Sequence, residues 1–344
     1  MAISAGNSWD ARGHASGTIN PNDARTLGWE IDPIDVSWNE FEVWYGSGDE
    51  LAISLTTPSG QQLNPVGLGT TVTLTAGGKT VGRIFHRAAD PNNGDNHIDI
   101  LLSHTLPGGV WEVRLENVGP GAADFDAYIE RDDGPNRQSR LVSTDAEPAG
   151  TIGSISCGTK TIAVGSYLSG VPNHEPSPFS AEGPTRDGKE KPEISAPGQF
   201  VHPFWKFGIL AARSLAQGAT RMSGTSMASP HVAGVIALLM QVADHDLTVE
   251  EIRQMLQNTA RIGPPAVAGW HPRYGHGRVD ALAALQQITG TVFPTVTPAA
   301  RISTAGASIE APFAAFVESA AASAARSGAR VRIKIDVEPV GSRQ

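Results

Sequence analysis

The feature that most constrains the fold of this chain is a hydroxyl-rich segment that runs directly into a long apolar stretch. It reads SGTSMASPHVAGVIALLMQ and covers residues 223–241. Ser223 and Thr225 are residue types that favour helix starts, and Pro230 is tolerated only near the start of a helix. The helix should therefore begin close to Ser226. Because the residues that follow leave hardly any polar face, the pattern predicts a helix that is buried on all sides.

A serine at the start of such a helix has two interpretations. The common one is an N-cap, whose only task is to bond the first free N–H groups of the helix. The other is a nucleophile, because the free N–H groups and the positive end of the helix dipole at that position stabilise an oxyanion. Considered without its neighbours, Ser226 fits the N-cap interpretation better.

Two regions of the sequence differ in their residue patterns. Residues 19 to about 133 contain short β-rich runs such as FEVWYG, LAISLTTP and VWEVRLENV, separated by Gly, Pro and Asn turns. Such runs, without helical periodicity, are typical of an antiparallel β-sandwich or jelly roll. From about residue 140, strand-like segments such as KTIAVGSYL alternate with helices, which indicates an α/β unit. In one of these helices Thr248 and Glu251 have the spacing of a capping box.

Several segments resemble the motifs of one enzyme family. Gly224–Gly234 matches, almost residue for residue, the nucleophile motif of the subtilisin-like serine peptidases (subtilases), Gly-Thr-Ser-Met-Ala-x-Pro-His-Val-x-Gly. FSAEGPTRDGKEKPEISAPG at 179–198 is similar to a second family motif, with Glu193 where Asp is usual, and YGHGRVDALAAL at 274–285 is similar to a third. AISAGNS, residues 2–8, resembles the strand and turn that carry the oxyanion asparagine.

The resemblance implies a role for each matching residue. Ser226 would be the nucleophile that forms an acyl-enzyme, and Asn7 would bind the oxyanion together with the Ser226 backbone N–H. His231 belongs to the motif but is not the base. The residues implied to bind substrate are Ser4, Ala5, Gly6, Gly224 and Thr225. The implied activity is that of a serine endopeptidase on a polypeptide substrate, without an organic cofactor and without a metal in the site.

The resemblance also predicts the architecture. The fold class is α/β: the C-terminal part of a subtilisin-like parallel-sheet fold, interrupted by an inserted antiparallel β-sandwich (a jelly roll), as in some bacterial subtilases. We expect the partial catalytic domain in residues 1–18 and 140–290, and the insertion in residues 19–139. Residues 291–305 should form a linker, and residues 306–344 a small helix-strand appendage of unassigned function.

The base that Ser226 needs is missing from the pattern. In subtilases the triad order is Asp, His, Ser, and the oxyanion Asn lies between His and Ser. No segment of this sequence resembles the family's Asp-Ser/Thr-Gly or His-Gly-Thr/Ser-His motif. Because a serine hydroxyl without a base is a poor nucleophile, we expect little activity from this chain alone. The simplest hypothesis is an N-terminally truncated reading frame. The alternatives are a pseudopeptidase that binds protein without cutting it, and a half-enzyme complemented by a second chain that carries the Asp and His.

Composition limits the partners. The formal net charge of −9 disfavours nucleic acid or an anionic membrane. The sequence shows no apolar run of the 18 or more residues typical of a membrane span, so we expect none. Cys157 is the single cysteine, which excludes an internal disulfide.

The loop DPNNGDNHID, residues 90–99, offers many oxygen ligands, so that a Ca²⁺ site and a simple polar turn both remain open.

Overall fold

The computed structural model describes residues 1–131, 137–201, 207–215, 217–263 and 269–292. The chain divides into two units, Met1–Thr291 and Val292–Gln344, and the account below concerns the first. Most of the expected linker and the whole expected appendage therefore lie outside the described residues.

The described residues form fifteen strands and three α-helices. The strands are β1 Ala2–Ser4, β2 His14–Ile19, β3 Ala24–Ile31, β4 Asn39–Tyr45, β5 Leu51–Thr56, β6 Thr71–Ala76, β7 Lys79–Arg87, β8 Asn96–Leu102, β9 Gly109–Asn117, β10 Ala123–Ile129, β11 Arg140–Leu141, β12 Ile162–Ser169, β13 Ile194–Phe200, β14 Ile209–Ala212 and β15 Ala219–Met222. The helices are α1 Thr225–Val242, α2 Val249–Asn258 and α3 Ala281–Thr289.

Strands β2 to β11 form two antiparallel sheets that share one core. The larger sheet has the order β2-β10-β4-β8-β7-β6, and the smaller one has the order β11-β3-β9-β5. The residue pattern of strand β4 explains the shared core. Phe41, Val43 and Tyr45 are fully buried between the sheets, while the alternate residues point to the outer face. The alternation of apolar and polar residues therefore lets the two sheets bury their apolar faces against each other.

The tryptophans of this region divide between the core and the surface. Trp29 and Trp111 are buried in the shared core, as expected from their position in β-rich runs. Trp38 is 45% exposed, and Trp44 lies on the outer face of the larger sheet, stacked on His97 at 3.8 Å between ring centroids.

The remaining elements form an α/β layer. Strands β1, β12 and β13 make a parallel sheet in the order β1-β12-β13, with α1 packed against all three strands. The predicted capping box is confirmed at the start of α2, where Thr248 and Glu251 bond each other's backbone N–H groups. The expected combination of a parallel sheet, antiparallel sheets and helices is thus present.

The prediction that α1 is buried on all sides is wrong for the described residues. Its buried apolar side chains form one stripe, made by Ala228, Val232, Val235 and Leu239. Outside that stripe Met240 is 58% exposed, and Val242, the last residue of the helix, is 44% exposed. The physical reason is that a single three-stranded sheet covers only one face of a helix.

The same helix bears on the expectation that the chain has no membrane span. By length and hydropathy alone Thr225–Val242 is apolar enough to cross a bilayer, and it is the one such helix in the part of the chain that the structure describes. This is weak support for a span, because the core helix of a water-soluble domain passes the same test. In this structure one face of the helix packs against the parallel sheet.

Candidate active site

The site lies where the first strand ends and the first helix begins. Strand β1 ends at Ser4 and leads into Asn7, while α1 starts at Thr225. The two segments are joined directly, since the Gly6 backbone N–H donates to Thr225 Oγ1 at 3.3 Å. Residues that are 218 positions apart in sequence therefore meet at the carboxyl end of the parallel sheet.

Asn7 is held in one orientation by Thr225. Its Oδ1 accepts two hydrogen bonds of 2.9 Å, one from the backbone N–H of Thr225 and one from the Thr225 hydroxyl. Because a backbone N–H can only donate, the Asn7 atom facing it must be the amide oxygen. The Nδ2 group, which carries the two N–H donors, is therefore directed away from Thr225.

Gly224 leaves a space between two donors. Its φ of +155° is one that side-chain-bearing residues rarely adopt. A Cβ at this position would lie 3.3 Å from Asn7 Nδ2 and 3.7 Å from the backbone nitrogen of Ser226. The space that glycine keeps open is therefore bounded by one side-chain donor and one backbone donor, which is the donor set of an oxyanion hole.

Ser226 lies in the first turn of α1 and is exposed, whereas its neighbour Thr225 is 1% exposed. Its hydroxyl has no hydrogen-bond partner within the described ranges. The histidine of the motif does not serve it, because His231 Nδ1 bonds the Met227 carbonyl oxygen at 2.8 Å. His14 is 3% exposed, and its Nε2 bonds Asp126 Oδ1 at 3.2 Å. Among the described residues, then, no base is bonded to Ser226.

The strand before Asn7 forms one wall of the site. The Ala5 carbonyl oxygen accepts from the Gly153 N–H at 2.8 Å, and the Ser4 carbonyl oxygen accepts from Ser156 Oγ at 2.6 Å. At Gly6 a Cβ would approach the Gly153 backbone nitrogen to 3.3 Å. These residues of the sequence prediction are thus packed tightly against the turn 153–156.

The turn after Asn7 is fixed by an aromatic residue. Trp9 Nε1 donates to Glu182 at 2.5 Å, and the guanidinium of Arg273 lies 3.8 Å from the centre of the Trp9 ring. This contact could not be predicted from sequence, because its three residues come from three distant segments.

Glu193, the residue at which the motif departs from the family pattern, has a structural role. It is 4% exposed and forms a 2.6 Å ion pair with the equally buried Lys191. Its second oxygen accepts from the Ala163 backbone N–H at 2.7 Å, and Arg253 of α2 lies 3.3 Å from the first oxygen. The carboxylate therefore connects β13 to β12 and to α2.

A cavity of about 780 Å³ adjoins Asn7 and Ser223. Its far side is formed by the outer face of the larger antiparallel sheet, with Glu42, Trp44 and Tyr128 among the lining residues. Sequence reasoning did not find these residues, because nothing local in an alternating strand indicates which site its outer face will meet.

The loop at residues 90–99 uses its oxygen atoms within the chain. Asp90 Oδ1 accepts from the backbone and side-chain nitrogens of Asn92 at 2.9 and 3.0 Å, and Asp95 pairs with Arg186. Over the described residues no group of three or more His, Cys, Asp or Glu side chains is placed to hold a metal ion. The contacts are those of an Asx-type turn.

Comparison with known proteins agrees with this geometry. Residues 134–277 match the model of the subtilase family, Peptidase_S8. This match covers less than half of the chain, and over these residues the chain is similar to the subtilases.

Particular relatives show the extent of the likeness. The chain is 35% identical to Mycosin-4 of Mycobacterium tuberculosis over 144 residues, which is 39% of this chain and 30% of that protein. It is 38% identical to bacillopeptidase F of Bacillus subtilis over 122 residues, which is 34% of this chain and 8% of that protein. The matched region thus spans less than a third of either relative.

One solved structure matches most of the fold. The CspB protease of Clostridium perfringens aligns with a TM-score of 0.68 and 23% identity, over 84% of this chain and 60% of that one. This coverage is too large to come from the α/β elements alone, so the shared fold includes antiparallel strands as well.

Proposed function

We propose that this chain is part of a serine endopeptidase that cleaves peptide bonds through an acyl-enzyme on Ser226. In this mechanism the Ser226 hydroxyl attacks the scissile carbonyl. The negative charge that develops on the carbonyl oxygen is bound by Asn7 Nδ2 and the Ser226 backbone N–H. Ser4, Ala5, Gly6, Gly224 and Thr225 would form the surroundings in which the substrate binds.

One observation carries the proposal: the two bonds from Thr225 that fix the Asn7 amide. An asparagine in an ordinary turn does not need its oxygen held by a residue 218 positions away. Preorganised donors are effective because they need no reorientation when charge develops. The glycine between the two donors serves the same end, since any side chain there would fill the space.

The proposal requires a general base and a carboxylate to orient it, and we propose that polypeptide outside this sequence supplies them. Two features favour this. Strand β1 is an edge of the parallel sheet, with one side unpaired among the described strands. The outward face of α1 exposes apolar residues such as Met240. Both are surfaces that further strands and helices would cover.

We also propose that residues 19–139 are a jelly-roll insertion in a catalytic domain formed by residues 1–18 and 140–290. The two antiparallel sheets with a shared core support this assignment. Its position between Asn7 and Ser226 in the sequence supports an insertion into the catalytic domain.

The test is hydrolysis of fluorescent casein and labelling by a fluorophosphonate, with the complete polypeptide that the gene encodes. Ser226→Ala should abolish both signals. Asn7→Ala should lower kcat by roughly 10²–10³-fold, a range that was established on subtilisin itself. Ser229→Ala, in the same motif, is the matched control and should remain active. Hydrolysis or labelling that survives Ser226→Ala contradicts the proposal.

A pseudopeptidase is the second candidate, favoured by the lack of a base bonded to Ser226 in the described part of the chain. It predicts that the complete polypeptide resists fluorophosphonate yet still retains an unfolded protein such as reduced casein. Sequencing the gene upstream of the Met1 codon separates the two functions. A frame that continues into His-Gly-Thr/Ser-His and Asp-Ser/Thr-Gly motifs supports the peptidase.

A further inference from the structure

The cavity beside Asn7 is lined in part by residues that lie outside the motifs of the candidate active site. It is formed by the α/β layer on one side and by the outer faces of β4 and β10 on the other. A substrate held at Asn7 and Ser226 would have this cavity next to it. The chemistry of the wall therefore indicates which side chains it would accept, on the basis of the function proposed above.

The cations that line the cavity are largely paired within the protein. Arg12 and Arg140 both contact Glu30, at 3.0 and 3.4 Å. Arg186 is paired with Asp95 and, at 2.9 Å, with Asp126. The fourth, Arg131, is exposed on the surface beside Glu130.

Glu42 has no such cation. Its carboxylate is 27% exposed and accepts from the Trp44 indole N–H at 3.2 Å. His97 Nε2 lies 3.8 Å from Glu42 Oε1. Burial lowers the pKa of His97 to about 4, so that it is neutral at neutral pH. Within the described residues no Lys or Arg forms a salt bridge with Glu42.

Further acidic residues lie beside Glu42 on the larger sheet. Glu40 and Glu42 follow each other on the outer face of β4, and Glu130 comes directly after β10, which pairs with β4. Burial raises the pKa of Glu42, and so do the charges of Asp99 and Glu130, while the bond from Trp44 and the charge of Arg87 oppose this rise. A carboxylate that is partly buried and forms no salt bridge with Lys or Arg attracts a cation more strongly than one in open solvent.

A second observation points to the same kind of ligand. His14 lines the cavity and is 3% exposed, and its Nδ1 has no hydrogen-bond partner among the described residues. Its Nε2 faces the Asp126 carboxylate, which only accepts. When Nε2 carries the proton, Nδ1 is a buried acceptor without a partner, which a group with N–H or O–H donors would satisfy.

We infer that this cavity binds the cationic side chain of a polypeptide substrate, arginine or lysine, with Glu42 as its main counter-charge. Trp44 supports the apolar part of that side chain, because its ring is held rigidly by the stack on His97. A guanidinium also pairs well with a carboxylate next to an aromatic wall.

The experiment measures binding apart from cleavage. Nα-acetyl-argininamide and the uncharged Nα-acetyl-norleucinamide are titrated by calorimetry into the complete polypeptide carrying Ser226→Ala. Glu42→Gln should weaken argininamide binding by about tenfold or more and leave norleucinamide unchanged. Glu42→Asp should retain part of the affinity. Glu112→Gln, at an exposed acid on the smaller sheet, is the control and should have no effect. Thermal unfolding of each variant identifies a change that merely unfolds the protein.

Two results overturn the inference: argininamide binding no tighter than norleucinamide, or equal affinity in the wild type and Glu42→Gln. Cleavage assays with the wild-type polypeptide keep this test separate from the proposed function. Cationic binding without any cleavage contradicts the peptidase and leaves the cavity assignment standing. Cleavage without preference for Arg or Lys contradicts the cavity assignment alone.

Discussion

The antiparallel sandwich and the parallel-sheet layer bury their apolar residues in different ways. In the sandwich, two sheets face each other, and side chains such as Phe41 and Val43 are fully enclosed. In the parallel layer, α1 is at least as apolar as those strands, but only one of its faces is covered, and Met240 is 58% exposed. Each sheet of the sandwich therefore has an opposing sheet that covers its apolar face. The layer that carries Ser226 and Asn7 has further apolar surface to cover.

The largest effect we expect is loss of the sandwich core. Trp29 is fully buried and packs 5.3 Å from Phe41 between ring centroids. Trp29→Ala should destabilise the protein by about 3–5 kcal/mol, because it removes a large side chain and leaves a cavity. Urea unfolding followed by near-ultraviolet circular dichroism measures this loss. Trp38→Ala, at a 45% exposed position, is the control. Equal losses for the two would mean that the sandwich does not have the self-contained core described here.

A smaller effect is expected where the two segments of the site meet. Thr225→Val removes the hydroxyl that donates to Asn7 and accepts from Gly6, and keeps the backbone bond to Asn7. We expect kcat to fall about tenfold with little change in KM, since the interaction acts on the oxyanion. Thr225→Ser should restore the rate. A change in KM alone would indicate that Thr225 only binds substrate.

The outer face of the sandwich should show a pH-dependent effect. Burial, followed by the charges of Asp99, Glu42 and Glu130, raises the pKa of Glu40 from 4.5 to about 7. The folded state thus disfavours the ionised form, a penalty that is absent below pH 4.5 and complete above pH 7. Glu40→Gln should stabilise the protein by about 1 kcal/mol at pH 8, after allowance for solvent screening, and hardly at pH 4.5. Thermal melts at the two pH values test this. A gain of equal size at both would contradict the raised pKa.

The smallest effect we expect is on the outward face of α1. Met240→Ser should change the free energy of unfolding by less than about 0.5 kcal/mol, because the side chain is largely exposed. The adjacent Leu239 is fully buried, and Leu239→Ala should cost about 2–5 kcal/mol. Chemical denaturation of this chain measures both. A large cost at Met240 would mean that another surface covers this face in solution, which would remove the contrast with the sandwich.

Much of the fold could be predicted from local patterns. The β-rich texture predicted antiparallel sheets, and the Thr248 and Glu251 spacing predicted a helix start that the structure confirms. Helix α1 itself was predicted to begin near Ser226, and it begins at Thr225. Its burial could not be predicted, because a periodic pattern records which residues are apolar and not how many neighbours are available to cover them.

The candidate site likewise has features that could be predicted from the sequence and features that could not. Ser226 and Asn7 were found through motifs, which are contiguous and therefore visible in sequence. The bond between Thr225 and Asn7 and the acidic wall at Glu42 were not, because each depends on segments that meet only after folding.

By itself the sequence determined the β-rich and the α/β regions, the position of the nucleophile motif and the family it resembles, because these depend on the order of neighbouring residues. The tertiary structure decided which face of α1 stays exposed, how the Asn7 amide is turned and which side chains enclose the cavity beside it. These are properties of contacts between distant segments, and their energies arise only when the parallel layer and the sandwich are folded against each other.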